Sequence, residues 1–300
     1  YIEWTGSELN ETVTITADSS GMITLYSGTQ PMGQGIATSY LQIFSEQLQI
    51  PIKQLKVVQG DTDLVEGHGS VGSRSLFVGG NAILRGIEDF LEECKQLAAS
   101  ELEASVEDLE YHQGNFQVKG TRVGIGIFDL CSRQSDNSIS VKRKKELTGR
   151  SWPNGCHVAE VEIDAETGEV RLDRYVSVDD VGNTVNPMIV HGQVQGGIAS
   201  GLGQAVLERT EYDASGQLLS GSYMDYALPR ADDMPSLSGS LFEKAPCLTN
   251  PLGAKGTGEI GAVAGPPAIV HAVIDALAEK GITQVDMPLQ PQKIWECLNR

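Results

Sequence analysis

Seven residues near the end of the chain, Lys255 to Gly261, read K-G-T-G-E-I-G. From Gly256 onward the spacing is G-x-G-x-x-G, that of a turn whose backbone N–H groups hold a dinucleotide pyrophosphate. That chemistry needs a hydrophobic strand before the first glycine, a helix after the last, and a carboxylate about 20 residues on. Residues 268–280, "AIVHAVIDALAEK", supply a helix with Ile269, Val273, Ile274 and Leu277 on one face. Asp275 stands near the expected distance. The strand is missing, because "TNPLGAK" carries a proline, a glycine and no β-branched run. Only about 40 residues follow, too few for the rest of a doubly wound sheet. Glu259 would also set a negative charge beside the diphosphate. The pattern therefore points away from a nucleotide and toward the carboxylate in its middle. In a glycine-lined pocket away from water, a carboxylate gains proton affinity and suits a general base near neutral pH. The alternative is a helix-end charge that only meets the helix dipole.

Three further segments carry glycine and amide beyond what packing requires: "GTQPMGQG" (28–35), "GHGSVGSRS" (67–75) and "HGQVQGG" (191–197). With "GAKGTGEIG" (253–261) they make a set of loops at or near helix starts. Such places offer bare N–H groups to anions. Gln34, Gln193, Ser73 and Ser75 add side-chain donors and acceptors. Any one loop alone is explained by tight turns and close helix packing. Together they suit a large phosphorylated cofactor. His68, His112, His157, His191 and His271 show no metal-ligand spacing, so no residue is assigned to a metal. No G-x-S-x-G elbow occurs, and Ser70, Ser73 and Ser75 have no identifiable base. "DVGNTVNP" (180–187) reads as a helix cap and start.

The elements that must hold these loops alternate between two periods. Val13, Ile15, Ala17, Ile23 and Leu25 alternate around a Ser-Ser-Gly turn, as in a hairpin. Ile36, Tyr40, Leu41, Phe44 and Leu48 have helical spacing, and "IKQLKVVQGD" returns as a strand. A long helix is expected over residues 81–104, then a hairpin in "LEYHQGNFQVKG". Residues 132–155 are polar, with a basic cluster at Lys142, Arg143, Lys144 and Lys145, and read as a linker or an exposed excursion. The plan then repeats, with a hairpin around Glu166-Thr167-Gly168 followed by a glycine-rich helix. The expectation is an α+β chain of two lobes with mixed sheets and packed helices. The lobes are residues 1–140 and 141–300, the second carrying the glutamate loop.

Three hundred residues with a net charge of -18 argue against nucleic acid or an anionic membrane as partner. The five cysteines are scattered and odd in number, without a C-x-x-C, and read as free thiols in a reducing compartment. No signal-peptide pattern and no bilayer-length apolar run occurs. "YIEWTG" opens the chain without an initiator methionine and reads as the middle of a longer protein.

In this order, "MGQG", "GSVGSRS", "NPMIVHGQVQGGIASGLGQAVLE", "GSYMDYALP" and "NPLGAKGTGEIGAVAGPP" resemble the molybdenum-binding subunit of the xanthine dehydrogenase family. That family includes xanthine and aldehyde oxidases, carbon monoxide dehydrogenase and bacterial hydroxylases of N-heterocycles. The similarity spans nearly the whole chain and matches the C-terminal half of that subunit, its second molybdenum-cofactor-binding domain. The resemblance implies molybdopterin with molybdenum, in bacteria usually the cytosine dinucleotide form. It sets Met32, Gly33 and Gln34 against the pterin–phosphate part, and Gly72, Ser73, Arg74 and Ser75 along the cofactor. Thr257 and Gly258 join the cofactor-binding residues, and Gln193 lies near the metal's oxygen ligands. Glu259 is implied as the general base that takes a proton from a hydroxyl on molybdenum. The oxygen, drawn from water, attacks an electron-poor carbon of an aldehyde or N-heterocycle, and hydride passes to a sulfido ligand.

Electrons are then expected to leave through iron–sulfur clusters to FAD, both carried by partner subunits. The implied partners are the upstream half of the molybdenum subunit, an iron–sulfur subunit, a flavin subunit and a small-molecule substrate. The complete enzyme is expected to be an oligomer in the cytoplasm, although some relatives are exported to the periplasm. The family's substrate-orienting residues lie upstream, so the chain alone is expected to be catalytically incomplete. Two other readings stand beside this one. One is a cofactor-binding or interaction module without catalytic competence. The other is a nicotinamide-binding dehydrogenase, which rests on the lone glycine spacing.

Overall fold

The computed structural model describes residues 1–299. Strand β1 (Asn10–Asp18) buries alternate residues Val13, Ile15 and Ala17, and pairs antiparallel with β2 (Ile23–Ser27). Helix α1 (Ile36–Leu48) lays Ile36, Tyr40, Ile43, Phe44 and Leu48 into the core. It carries the chain back to β3 (Leu55–Gln59), which is parallel to β2, as a crossover through a helix requires. A π-type turn at Ser75–Gly79 leads into α2 (Gly80–Glu101). This helix packs on β1 with Ile83, Ile87, Phe90 and Cys94 buried. Strands β4 (Leu109–His112), β5 (Asn115–Val118) and β6 (Gly124–Gly126) form a small antiparallel sheet, followed by the short α3 (Ile127–Ser132).

The segment read as a linker is a strand. Residues Ser138–Glu146 form β7, paired antiparallel with β1 along its whole length. Ile139 is buried and Val141 half-buried, whereas Lys142, Arg143 and Lys144 are exposed. A lysine-rich edge strand protects a sheet from pairing with other chains, and its low hydrophobicity hid it in the sequence. The first sheet runs β3-β2-β1-β7 and extends past the expected boundary at residue 140.

The second lobe repeats the plan of the first. β8 (Asn154–Ile163) and β9 (Val170–Asp180) pair antiparallel, α4 (Pro187–Leu202) follows, and β10 (Leu237–Leu241) returns parallel to β9. A second helix, α5 (Ile260–Ala276), then packs on β8 and α4. Each lobe thus reads strand, strand, helix, parallel strand, helix. Asn186 caps α4 by accepting from Ile189 N at 3.1 Å, and Pro187 opens it, as the sequence indicates. Helix α5 begins at Ile260, not at residue 268, because Pro266 and Pro267 lie inside it. A proline pair reads as a helix start, since a first-turn proline gives up no hydrogen bond. Here α5 carries it in mid-helix while packed on its neighbours. α6 (Pro291–Leu298) closes a satellite core of Val273, Leu277, Leu289 and Ile294. No helix among the described residues is long and apolar enough to cross a membrane, and all five cysteines are free.

Helices α4 and α5 cross with their backbones in contact. A Cβ on Gly197 would lie 2.7 Å from Gly261 Cα, and one on Gly261 would collide with the Val194 carbonyl. Gly201 and Gly265 continue the contact one turn on. Gly261→Ala is expected to push the helices apart at a cost of about 1–3 kcal/mol, the scale of overpacking a tight core. Thermal unfolding of the complete protein checks this, and an unchanged Tm would show that the crossing yields freely.

Candidate active site

Four helices start on one cleft. Its lining includes Ile36 at the start of α1, Ser75 and Leu76 in the turn that leads into α2, Asn186 at the N-cap of α4 and Glu259 at the N-cap position of α5. The first turn of a helix leaves N–H groups without intrahelical partners, at the positive end of the dipole. The α4–α5 crossing adds Gln193, which lies one turn before Gly197, to the same cleft as Glu259. Every predicted site residue except Gly33 and Arg74 lines this space: Met32, Gln34, Gly72, Ser73, Ser75, Gln193, Thr257, Gly258 and Glu259.

The loops at 28–35 and 67–75 are stitched back to back. A Cβ on Gly28 would sit 2.6 Å from Gly67 Cα, so neither position tolerates a side chain. Gly69 N donates to Gly28 O at 3.1 Å, and Ser70 Oγ donates to Gln30 O at 2.6 Å. Gln34 folds its own loop, donating to Gln30 O at 2.9 Å and accepting from Met32 N at 2.7 Å. Ser75 Oγ donates to Ser70 Oγ at 2.7 Å, which ties the second loop together.

Arg74 was expected along the cofactor with the rest of its stretch, and it is absent from the cleft lining. Its side chain does not run along the cleft but behind the loop, fully buried. It pairs with Glu11 at 2.7 Å and donates to the carbonyls of Gly69 at 2.6 Å, Asn10 at 2.6 Å and Glu8 at 3.0 Å. Arg74 therefore fastens the loop to β1. Gly33, at φ 92°, faces open space outside the lining.

The glutamate loop is held on three sides. Lys255 pairs with Asp180 at 2.7 Å, and its N–H donates to Val181 O at 2.8 Å. A Cβ on Gly256 would lie 2.5 Å from Ser73 O and 2.7 Å from Thr5 Cβ. Gly261 meets α4. The glycines of K-G-T-G-E-I-G thus make room for neighbouring chain, and the loop's position follows from that contact. Ser73, itself in the left-handed region at φ 52°, donates to Glu259 Oε2 at 2.8 Å. The expected shielding from water is not supplied by this chain, since Glu259 is exposed. The carboxyl whose proton affinity is raised is Glu3, pushed up to about 7 by burial first and by the Glu259 charge second. Glu3 carries no motif in the sequence, and only the fold brings it here. Ser70, Asn186 and Ile36 also escaped the sequence reading as lining residues, although the helix starts they mark were visible.

A molybdopterin cofactor-binding domain model matches residues 1–235. The chain is 34% identical to the 6-hydroxypseudooxynicotine dehydrogenase complex subunit gamma of Paenarthrobacter nicotinovorans, over 97% of this chain and 38% of that protein. It is 33% identical to the carbon monoxide dehydrogenase large chain of Hydrogenophaga pseudoflava, over 90% of this chain and 35% of that one. The crystal structure of quinoline 2-oxidoreductase from Pseudomonas putida 86 superposes with a TM-score of 0.88 at 31% identity, over 100% of this chain and 41% of that one. The chain therefore spans well under half the length of these relatives.

Proposed function

Because this chain belongs to the molybdopterin cofactor-binding domain family, we propose that it forms one wall of the active site of a molybdenum hydroxylase. In this reading the complete enzyme adds oxygen from water to an aldehyde or N-heterocycle, and Glu259 is the general base. The observation that carries it is the convergence of four helix starts on one cleft, with a carboxylate at one of them.

The residues present fit a phosphorylated pterin. The helix starts offer N–H donors to phosphate, Ser70, Ser73, Ser75 and Gln193 add polar atoms, and Val71, Ile189 and Val190 form an apolar wall. Met32, Gln34 and the Gly72–Ser75 turn would hold the pterin–phosphate side, and Gln193 would face the metal's oxygen ligands. Gly33 and Arg74 would serve through the loops they shape. The cytosine dinucleotide form of the cofactor is part of the proposal. When bound, the cofactor supplies the redox chemistry, and the protein supplies position and proton transfer. Glu259 would hold Oε1 ready to accept a proton in the cleft, since Oε2 already accepts from Ser73. The cleft encloses about 180 Å³, below the ~300–1,000 Å³ of ordinary ligand pockets. That size suits a wall completed by the rest of the molybdenum subunit. An iron–sulfur subunit and a flavin subunit would carry the electrons away.

The test is metal and pterin analysis of the complete protein, purified from a host that makes the cofactor. Molybdenum and a releasable pterin, both stoichiometric with the chain, are expected. A folded, complete protein with neither would favour a module that keeps the fold without the chemistry.

A further inference from the structure

Two carboxylates meet one hydroxyl at the start of α5. Ser73 Oγ donates to Glu259 Oε2 at 2.8 Å and stands 3.4 Å from Glu3 Oε1. One hydroxyl hydrogen cannot serve both. The other Glu3 oxygen, Oε2, is buried without a hydrogen-bond partner. The two carboxylates thus flank a single hydroxyl, and the Glu259 charge raises the proton affinity of Glu3. Among the described residues no cation pairs with either. Arg74 is taken by Glu11 and Lys255 by Asp180, while Arg150 donates to the Gly6 carbonyl and lies over the Trp4 ring.

Two carboxyl groups that meet at one hydroxyl, with no cation between them, do not both ionise cheaply. We propose that Glu3 and Glu259 share one proton beside the Ser73 hydroxyl, and that Glu3 is a positioning residue that aims the Glu259 carboxylate into the cleft. The proton rests on Glu3, the more buried partner, whose affinity is raised to about 7. Protonation gives the orphaned Glu3 carboxyl a hydrogen to donate and leaves Glu259 charged and held. Above that pH both are ionised, the hydrogen bond is lost, and the two charges push Glu259 out of line. The positioning role rests on the reading of Glu259 as base, whereas the shared proton does not.

The experiment uses the complete, cofactor-loaded protein with Glu3→Gln, which can donate but not titrate, and Glu3→Ala, which can do neither. In the parent protein kcat/KM should fall as pH rises past about 7. Glu3→Gln should keep most of kcat and lose that limb. Glu3→Ala should lower kcat by roughly 10–100-fold, the scale of a charge-assisted hydrogen bond, with KM and molybdenum content unchanged. Isotope-edited infrared spectra of the same proteins read the proton without turnover. A protonated-carboxyl band should vanish near pH 7 in the parent, be missing in Glu3→Gln, and titrate at lower pH in Glu259→Gln, where the neighbouring charge is gone. No such band would overturn the shared proton. The band together with an unchanged kcat in Glu3→Ala would overturn the positioning role. A band with full turnover in Glu259→Gln would instead overturn the reading of Glu259 as base.

Discussion

Glu259→Gln, made in the complete protein, is expected to lower kcat by about 10²–10⁴, the usual contribution of a general base. Molybdenum and pterin content should stay unchanged. Nothing that places the loop passes through the Glu259 side chain. Lys255 is tied to Asp180 and Val181, Gly256 lies against Thr5 and Ser73, and Gly261 lies against α4. Glutamine keeps the shape, and its carbonyl oxygen can still accept from Ser73. Turnover loses the group that takes the proton, so kcat and kcat/KM should fall together while KM changes little. Glu259→Asp should land between the two, because the carboxylate survives but draws back by one methylene. Full turnover in the glutamine variant, at normal metal content, would return Glu259 to a helix-end charge.

The parts of the fold set by local pattern were legible. Alternation at Val13, Ile15 and Ala17 marks β1, and the Asn186-Pro187 pair marks the start of α4. What escaped depends on partners distant in the chain. β7 is a strand because β1 is beside it, and its lysines suit an edge rather than a core. β3 and β10 pair parallel with the second strand of each hairpin, a choice made by the helices that carry the chain across the sheet. The same divide runs through the cleft. Glycine loops and helix starts declare themselves in sequence, and the loops they marked do border one cleft. Arg74 sits inside such a loop, yet its direction is set by Glu11, sixty-three positions earlier. Glu3 reaches Ser73 and Glu259 only because residues 1–6 run between the lobes, with Thr5 N on Ser151 O and Gly6 N on Gly72 O.

Arg74→Met is expected to destabilise the protein by about 3–5 kcal/mol, the cost of stranding a buried charge. Both side chains of the Arg74–Glu11 pair are fully buried. Removing the guanidinium leaves the Glu11 carboxylate beside the Gly28–Gly67 crossing, where the backbone has no slack to admit a replacement. It also takes the donor from three carbonyls. A loss of this size is a large part of the ~5–15 kcal/mol that holds a typical domain together. Arg74→Lys should recover only part of it, because an ammonium lacks the planar fork that reaches four acceptors at once. The partner change decides what Arg74 is for. Adding Glu11→Leu to Arg74→Met removes the stranded charge and should restore much of the stability, as replacement of a buried ion pair by apolar groups often does. If Arg74 only fastens the 67–75 loop, molybdenum and pterin loading should return in step with the denaturation midpoint. A stable double variant that still fails to load would mean that the guanidinium acts on the cofactor itself, against its position behind the loop.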